Sequence, residues 1–211
     1  MSHPDTLGVI IAGGLARRMD GADKMRIRIG EATILERTLA RLRPQCVALI
    51  LNANMSAMSA GRLAETGLPV VADSVPDFPG PLAGILAGLD FAAAQMPQTS
   101  WMVSEPGDCP FLPRDLVERL HRARLEAGAT LACAASGGRR HPVIALWPVA
   151  LREDLRHAIS QEGARKVGAW SARYTPAVAE WPAAPVDPFF NVNTPEDAGE
   201  AERLAARYPD A

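Results

Sequence analysis

The chain has 211 residues, 48% hydrophobic and 22% charged, with a formal net charge of −2 and a pI near 6.1. That length allows one substantial core, and the mildly acidic balance excludes a broad nucleic-acid-binding face. Cys46, Cys109 and Cys133 are too few and too widely spaced for a disulfide framework or a zinc site.

Free cysteines point to a reducing compartment. The opening MSHPDTLGVIIAGG lacks the basic region and long apolar stretch of a signal peptide. The longest apolar runs fall short of the roughly 20 residues needed to span a bilayer. A cytoplasmic protein without membrane partners is expected.

In chain order, Leu7–Ala12 reads as a short, buried, β-branched strand ended by glycine. Met25–Ile29 alternates apolar and charged residues, as a strand with one exposed face would. Thr33–Leu42 sets Ile34, Leu35, Thr38, Leu39 and Leu42 along one helical face. Cys46–Leu51 and Pro69–Ala72 read as strands, and Pro81–Ala94 as a helix with proline in its first turn. A strand at Trp101–Ser104, a helix from Pro113 to about Ala127, and strands at Ala129–Ala134 and Pro142–Trp147 follow. Helical stretches come next around Val149–Ile159 and Ala164–Ala172. In the last helix Thr194 can cap, Pro195 takes the first turn, and Glu196 and Asp197 favour the dipole.

With no repeat or linker, the alternation predicts a single α/β domain over 1–211. A mostly parallel central sheet covered by helices on both faces follows. Ligands bind outside the carboxyl ends of such strands. The loops after Ala12, Leu51, Ala72 and Ser104 should therefore open onto one side.

The loop GGLARRMDGADK, residues 13–24, concentrates glycine and basic residues in an acidic chain. It lacks the GxGxxG of a dinucleotide fold and the GxxxxGK[ST] of a P-loop, and the HRD and DFG elements of a kinase are absent. What remains is a backbone that approaches an anion at Gly13 and Gly14. Arg17 or Arg18 can fork onto phosphate oxygens, and Lys24 supplies a point charge.

Further on, LNAN offers Asn52 and Asn54 at a strand end, and VADSVPDFPGPLAGI sets Asp73 before a proline- and glycine-rich loop. A carboxylate there can accept a pair of N–H donors from a ligand. WMVSEPGDCPFLP brings Asp108 to a strand end, where an aspartate can hold Mg²⁺, with Glu105 as a rival ligand. Cys109 has no identified base and reads as structural. GGRRHPVIAL puts Arg139, Arg140 and His141 at the start of a strand, EGARKV carries Arg165 and Lys166, and FFNVNTPED carries Asn191 and Asn193 two apart. On an extended segment those two amides point the same way.

Taken in order, these strings resemble the molybdenum cofactor guanylyltransferase (molybdopterin-guanine dinucleotide biosynthesis protein A) family over nearly the whole chain. IAGGLARRMDGADK is similar to L-A-G-G-x-x-x-R-M-G-x-x-D-K, departing at Asp20, where glycine is usual. The double glycine resembles the guanylyl branch, since related cytidylyltransferases carry L-A-A-G. The resemblance implies a three-layer α/β/α Rossmann-like nucleotidyltransferase fold, with the N-terminal part binding nucleotide and the C-terminal part completing a molybdopterin site.

It further implies attack by molybdenum-loaded molybdopterin on the α-phosphorus of GTP, with Mg²⁺ as cofactor. The catalytic set would be Arg18, Lys24 and Asp108, with Asp108 on the metal. Ile11, Ala12, Gly13, Gly14, Lys24, Asn52, Asp73 and Asp108 would line the nucleotide. His141, Arg165, Asn191 and Asn193 would meet the molybdopterin. Molybdopterin-synthesising proteins and acceptor molybdoenzymes are the protein partners it suggests. A cytidylyltransferase, a sugar-phosphate nucleotidyltransferase and a non-catalytic cofactor-delivery adaptor are the alternatives. Gly13-Gly14 and Asn191-x-Asn193 speak against the first two, and Lys24 with Asp108 against the third.

Overall fold

A computed structural model describes residues 3–12, 24–53, 66–75 and 80–211. Its centre is a seven-stranded sheet built from β1 (Thr6–Ile11), β4 (Ala48–Asn52), β5 (Val70–Val71), β6 (Trp101–Pro106), β7 (Ala132–Ser136), β8 (Arg139–Pro148) and β9 (Ala177–Trp181). Their order is β5-β4-β1-β6-β8-β7-β9, and β2 (Arg28–Ile29) with β3 (Ala32–Thr33) forms a separate two-stranded ribbon.

β1 pairs in parallel with β4 and β6, β4 with β5, and β7 with β9, whereas β8 runs against both of its neighbours. The reversal comes from the Gly137-Gly138 turn between β7 and β8. Both glycines have positive φ, 54° and 76°, the backbone that a two-residue hairpin needs. The amino end of β8 therefore lies at the same edge as the carboxyl ends of the parallel strands. His141 thus joins that edge although its strand runs the other way.

Helices α1 (Ile34–Leu42) and α3 (Leu116–Glu126) cover one face. Their Leu35, Leu39, Leu42, Leu116 and Leu120 pack with Ile10, Leu49, Val103 and Leu146 of the sheet. On the other face lie α2 (Pro81–Gln95), α4 (Arg152–Ser160) and α5 (Val167–Ser171). There Leu82, Ile85, Leu86, Leu155 and Trp170 meet Leu7, Val9, Ile50 and Trp147. A third apolar cluster joins Ile29, Ile34 and Val192 to Ala201 and Ala205 of α6 (Pro195–Arg207). The expected three-layer α/β architecture is present.

Local chemistry sets the helix starts. Thr33, expected inside α1, is its N-cap: its hydroxyl accepts from the Glu36 N–H, and Glu36 reaches back to the Thr33 backbone. Thr194 and Asp197 repeat this box at α6. α2 begins after Gly80, whose φ of 142° suits glycine, with Pro81 in the first turn.

Several expectations shift, among them three at element starts. The strand foreseen at Met25–Ile29 is a 3₁₀ turn over Lys24–Arg26 followed by β2, which keeps Met25 buried and Arg26 exposed. The stretch after Val149 is a 3₁₀ turn leading into α4. α3 starts at Leu116 rather than Pro113. β9 was not foreseen.

Candidate active site

Hydrogen bonds between neighbouring chain segments fix the carboxyl edge of the sheet. The Ala12 N–H donates to the Asn52 carbonyl at 2.8 Å, Ala53 to Val71 at 3.0 Å, and Gly107 to Ile11 at 3.2 Å. Ile11 and Ala12 thus end β1 between the loops that carry Asn52, Asp73 and Asp108. Of the expected ligands, Gly13, Gly14 and Arg18 lie outside the described residues, as do Arg17, Asp20 and Asn54.

Asn52 and Asp73 form the first group. Asn52 is almost wholly buried, and its amide donates to Asp73 Oδ1 at 2.9 Å and to the Val71 carbonyl at 3.2 Å. Its own oxygen lies against Gly84 of α2, where a Cβ would stand 2.2 Å away. Asn52 therefore orients the Asp73 carboxylate, which is partly exposed at the edge.

The second group is centred on Asp108. The Asn191 amide donates to Asp108 Oδ1 at 2.8 Å, and the Val192 N–H donates to the Asp108 carbonyl at 3.0 Å. Lys24 donates to Asn193 Oδ1 at 2.7 Å. Burial pushes the Asp108 carboxyl above its ordinary range, while the Lys24 ammonium and the Asn191 amide pull it back. A lysine, a largely buried carboxylate and two amides from distant parts of the chain thus share one corner.

Glu105 does not join them as an accessible ligand. It pairs in register with Ile10 and so faces the α1–α3 side. It is 1% exposed, and neither carboxylate oxygen has a hydrogen-bond partner among the described residues. Burial first, and the Asp108 charge second, push it well above the carboxylate range. Cys109 is likewise fully buried, its thiol pushed well up by burial and then by the Asp108 and Glu105 charges. An inert thiol results, as expected of a structural cysteine.

The third group surrounds His141. The Ser136 hydroxyl donates to Asp187 Oδ1 at 2.8 Å and lies 2.9 Å from His141 Nε2. Since Ser136 spends its proton on Asp187, the imidazole donates from Nε2. Burial lowers its pKa, against an opposing pull from Asp187. The ring leans on Phe189, with centroids 4.9 Å apart. Arg165, in the loop before α5, is exposed, with its carbonyl 4.0 Å from where a Cβ on Gly80 would sit. Ser136 and Asp187 went unnoticed in the sequence; Ser136 follows an alanine run and Asp187 sits between prolines, and neither has a motif around it.

An α/β sheet whose carboxyl edge presents a lysine beside a half-buried aspartate, with an oriented aspartate three strands away, is the framework of a nucleotidyltransferase. The chain belongs to the family of the MobA-like NTP transferase domain, whose family model matches residues 8–176. Its relatives include the molybdenum cofactor guanylyltransferase of Nitrobacter hamburgensis, 59% identical over 96% of this chain and 96% of that one. The protein of the same name from Rhodopseudomonas palustris is 57% identical over 97% of this chain and 96% of its own.

Among solved structures, molybdopterin-guanine dinucleotide biosynthesis protein A from Archaeoglobus fulgidus superposes with a TM-score of 0.71 at 22% identity, covering 96% of this chain and 99% of that one. The 2-C-methyl-D-erythritol 4-phosphate cytidylyltransferase of Thermus thermophilus gives 0.62 at 22% identity, covering 97% and 100%. At such identities these likenesses establish the fold alone.

Proposed function

We propose that this nucleotidyltransferase moves GMP from GTP to the terminal phosphate of molybdenum-loaded molybdopterin. An oxygen of that phosphate forms the new bond to the α-phosphorus. The bond from the α-phosphorus to the α–β bridging oxygen breaks, pyrophosphate leaves with the electron pair, and molybdopterin guanine dinucleotide forms. The observation that carries the reading is the Lys24–Asn193 and Asp108–Asn191 corner at the carboxyl edge. It occurs in a chain more than half identical to relatives named for this chemistry.

Transfer of this kind needs positioning and charge stabilisation rather than a protein nucleophile. Lys24 and Arg18 would hold the triphosphate, with the backbone of Ile11, Ala12, Gly13 and Gly14 alongside. Asp73, oriented by Asn52, would accept the guanine N–H donors. His141, Arg165 and the remaining valences of the Asn191 and Asn193 amides would face the molybdopterin.

The donor set fits Mg²⁺. Asp108 offers a hard carboxylate oxygen, and no group of three or more potential ligands occurs among the described residues. Mg²⁺ is commonly held by one or two carboxylates together with substrate phosphates and water. When bound, it would neutralise triphosphate oxygens. Asp108 would hold it. The described cysteines are free and no described helix is long and apolar enough to cross a membrane; the proposal places the reaction in the cytoplasm.

Pyrophosphate release from purified protein with Mg²⁺ and molybdenum-loaded molybdopterin, compared across GTP, CTP, ATP and UTP, tests the reading. Release confined to GTP supports it. Release with CTP instead overturns the base assignment, and GTP binding without any release favours a delivery adaptor.

A further inference from the structure

Residues 191–193 have a mechanical role that an acceptor-binding motif would not require. Val192 is fully buried in the cluster of Ile29, Ile34 and Phe111, and its N–H is bonded to the Asp108 carbonyl. On either side of that pin, Asn191 bonds the Asp108 carboxylate and Asn193 bonds the Lys24 ammonium. Immediately after, Asp197 Oδ2 accepts from the Asn193 and Thr194 N–H groups, both at 2.9 Å. The segment is thus anchored by an apolar plug on one side and a helix cap on the other.

The atoms used matter. Asn191 engages Asp108 through its donor, Nδ2, which fixes one carboxylate oxygen and with it the direction of the other. Asn193 engages Lys24 through its acceptor, Oδ1, which limits the rotamers of a long side chain otherwise costly to order. A carboxamide can meet both partners, donating to a carboxylate that only accepts and accepting from an ammonium that only donates.

We propose that Asn191 and Asn193 are positioning residues, a clip that holds the Asp108 carboxylate and the Lys24 ammonium at a fixed mutual placement before substrates arrive. This deepens the guanylyl-transfer reading and rests on it for the identity of the groups being positioned. The clip ties the acceptor side of the site to the donor side, so the segment that borders the molybdopterin also sets the metal carboxylate and the phosphate cation.

The test uses Mn²⁺ as the probe, titrated by electron paramagnetic resonance into the full-length protein with GTP and no acceptor. It is combined with steady-state kinetics in Mg²⁺. Asn191→Ala should weaken Mn²⁺ binding roughly 10- to 100-fold, the usual effect of removing an outer partner of a metal ligand. Asn191→Asp should weaken it as well, because a carboxylate cannot donate to Asp108. Asn193→Ala should lower kcat roughly 10- to 100-fold through misplacement of Lys24, in addition to any rise in the molybdopterin KM.

Wild-type Mn²⁺ affinity in Asn191→Ala overturns the clip, and so does tighter binding in Asn191→Asp, which would make position 191 a direct ligand. A rise in molybdopterin KM alone, with kcat intact in Asn193→Ala, also overturns it. The Mn²⁺ titration needs no turnover. A wild-type protein that releases no pyrophosphate, yet loses Mn²⁺ affinity in Asn191→Ala, removes the guanylyl reading and leaves the clip standing.

Discussion

The oxygen of the Asn52 side chain faces Gly84 across a gap that no Cβ could share, 2.2 Å from where that atom would stand. Asn52 cannot step aside cheaply, since its nitrogen is held by Asp73 and by the Val71 carbonyl. Close packing of α2 onto the end of β4 therefore sets the direction of the Asp73 carboxylate.

Gly84→Ala should for this reason destabilise the fold by about 1–3 kcal/mol, the usual cost of overpacking, although alanine is the better helix former. It should also raise the KM for GTP, because a displaced Asn52 releases Asp73. Urea unfolding and pyrophosphate-release kinetics read the two effects. A variant as stable as the wild type, with an unchanged KM, would separate α2 packing from nucleotide binding.

Lys24 is partly exposed and its ammonium donates to Asn193 Oδ1. On the proposed mechanism, Lys24→Ala removes a charge aimed at the transferring phosphoryl group, worth roughly 10²–10³-fold in kcat. Stability should stay within about 0.5 kcal/mol, as for other surface substitutions. Wild-type turnover in that variant, with the melting temperature preserved, would take Lys24 out of the mechanism.

Most of the scaffold was legible from periodicity and caps, because β1, α1, α2 and α6 carry strong local signals. β9 was not, for a physical reason. Its buried positions are Ala177, Ala179 and Trp181, while Val178 and Glu180 face outward, so the alternation of burial is not an alternation of hydrophobicity. The direction of β8 was hidden too, since it depends on the positive φ of both turn glycines.

Motif order brought Lys24, Asn52, Asp73, Asp108 and the two asparagines to one edge. It could not foresee who touches whom. The Asn191–Asp108 and Lys24–Asn193 bonds join residues 83 and 169 positions apart, and such pairings are set by the topology of the sheet rather than by local sequence.

His121 is a pH-sensitive point far from that edge, at the amino end of β1. Thr6 donates its hydroxyl proton to the Pro4 carbonyl, so its oxygen accepts from His121 Nε2 at 2.9 Å. That leaves Nδ1 buried and without a partner among the described residues. Burial, then the neighbouring His3 and Arg124, lower the pKa from 6.5 to about 4. The unfolded chain therefore binds the proton more tightly. The stabilisation is fully present above pH 6.5 and is lost as pH falls toward 4, on the order of 1–3 kcal/mol. Melting temperatures across that window should fall more steeply for the wild type than for His121→Gln. Parallel curves would show that the ring does not titrate with unfolding.

Glu105 works in the opposite direction. Its carboxyl is held well above 4.5 by burial and then by the Asp108 charge, so the folded state keeps a proton that the unfolded chain releases. Its contribution is fully present below pH 4.5 and is lost as pH rises through the folded-state value. Both oxygens also lack partners among the described residues, which costs about 1–3 kcal/mol for a buried polar group. Glu105→Leu fills a similar volume without either penalty. It should raise stability at neutral pH, with a margin over the wild type that widens from pH 4.5 upward. Glu105→Gln removes the titration but keeps the unsatisfied polar atoms, so it should flatten the pH dependence with less gain. Urea midpoints of the three proteins across pH test this. A Leu variant less stable than the wild type at every pH would mean that the Glu105 carboxyl has a stabilising partner.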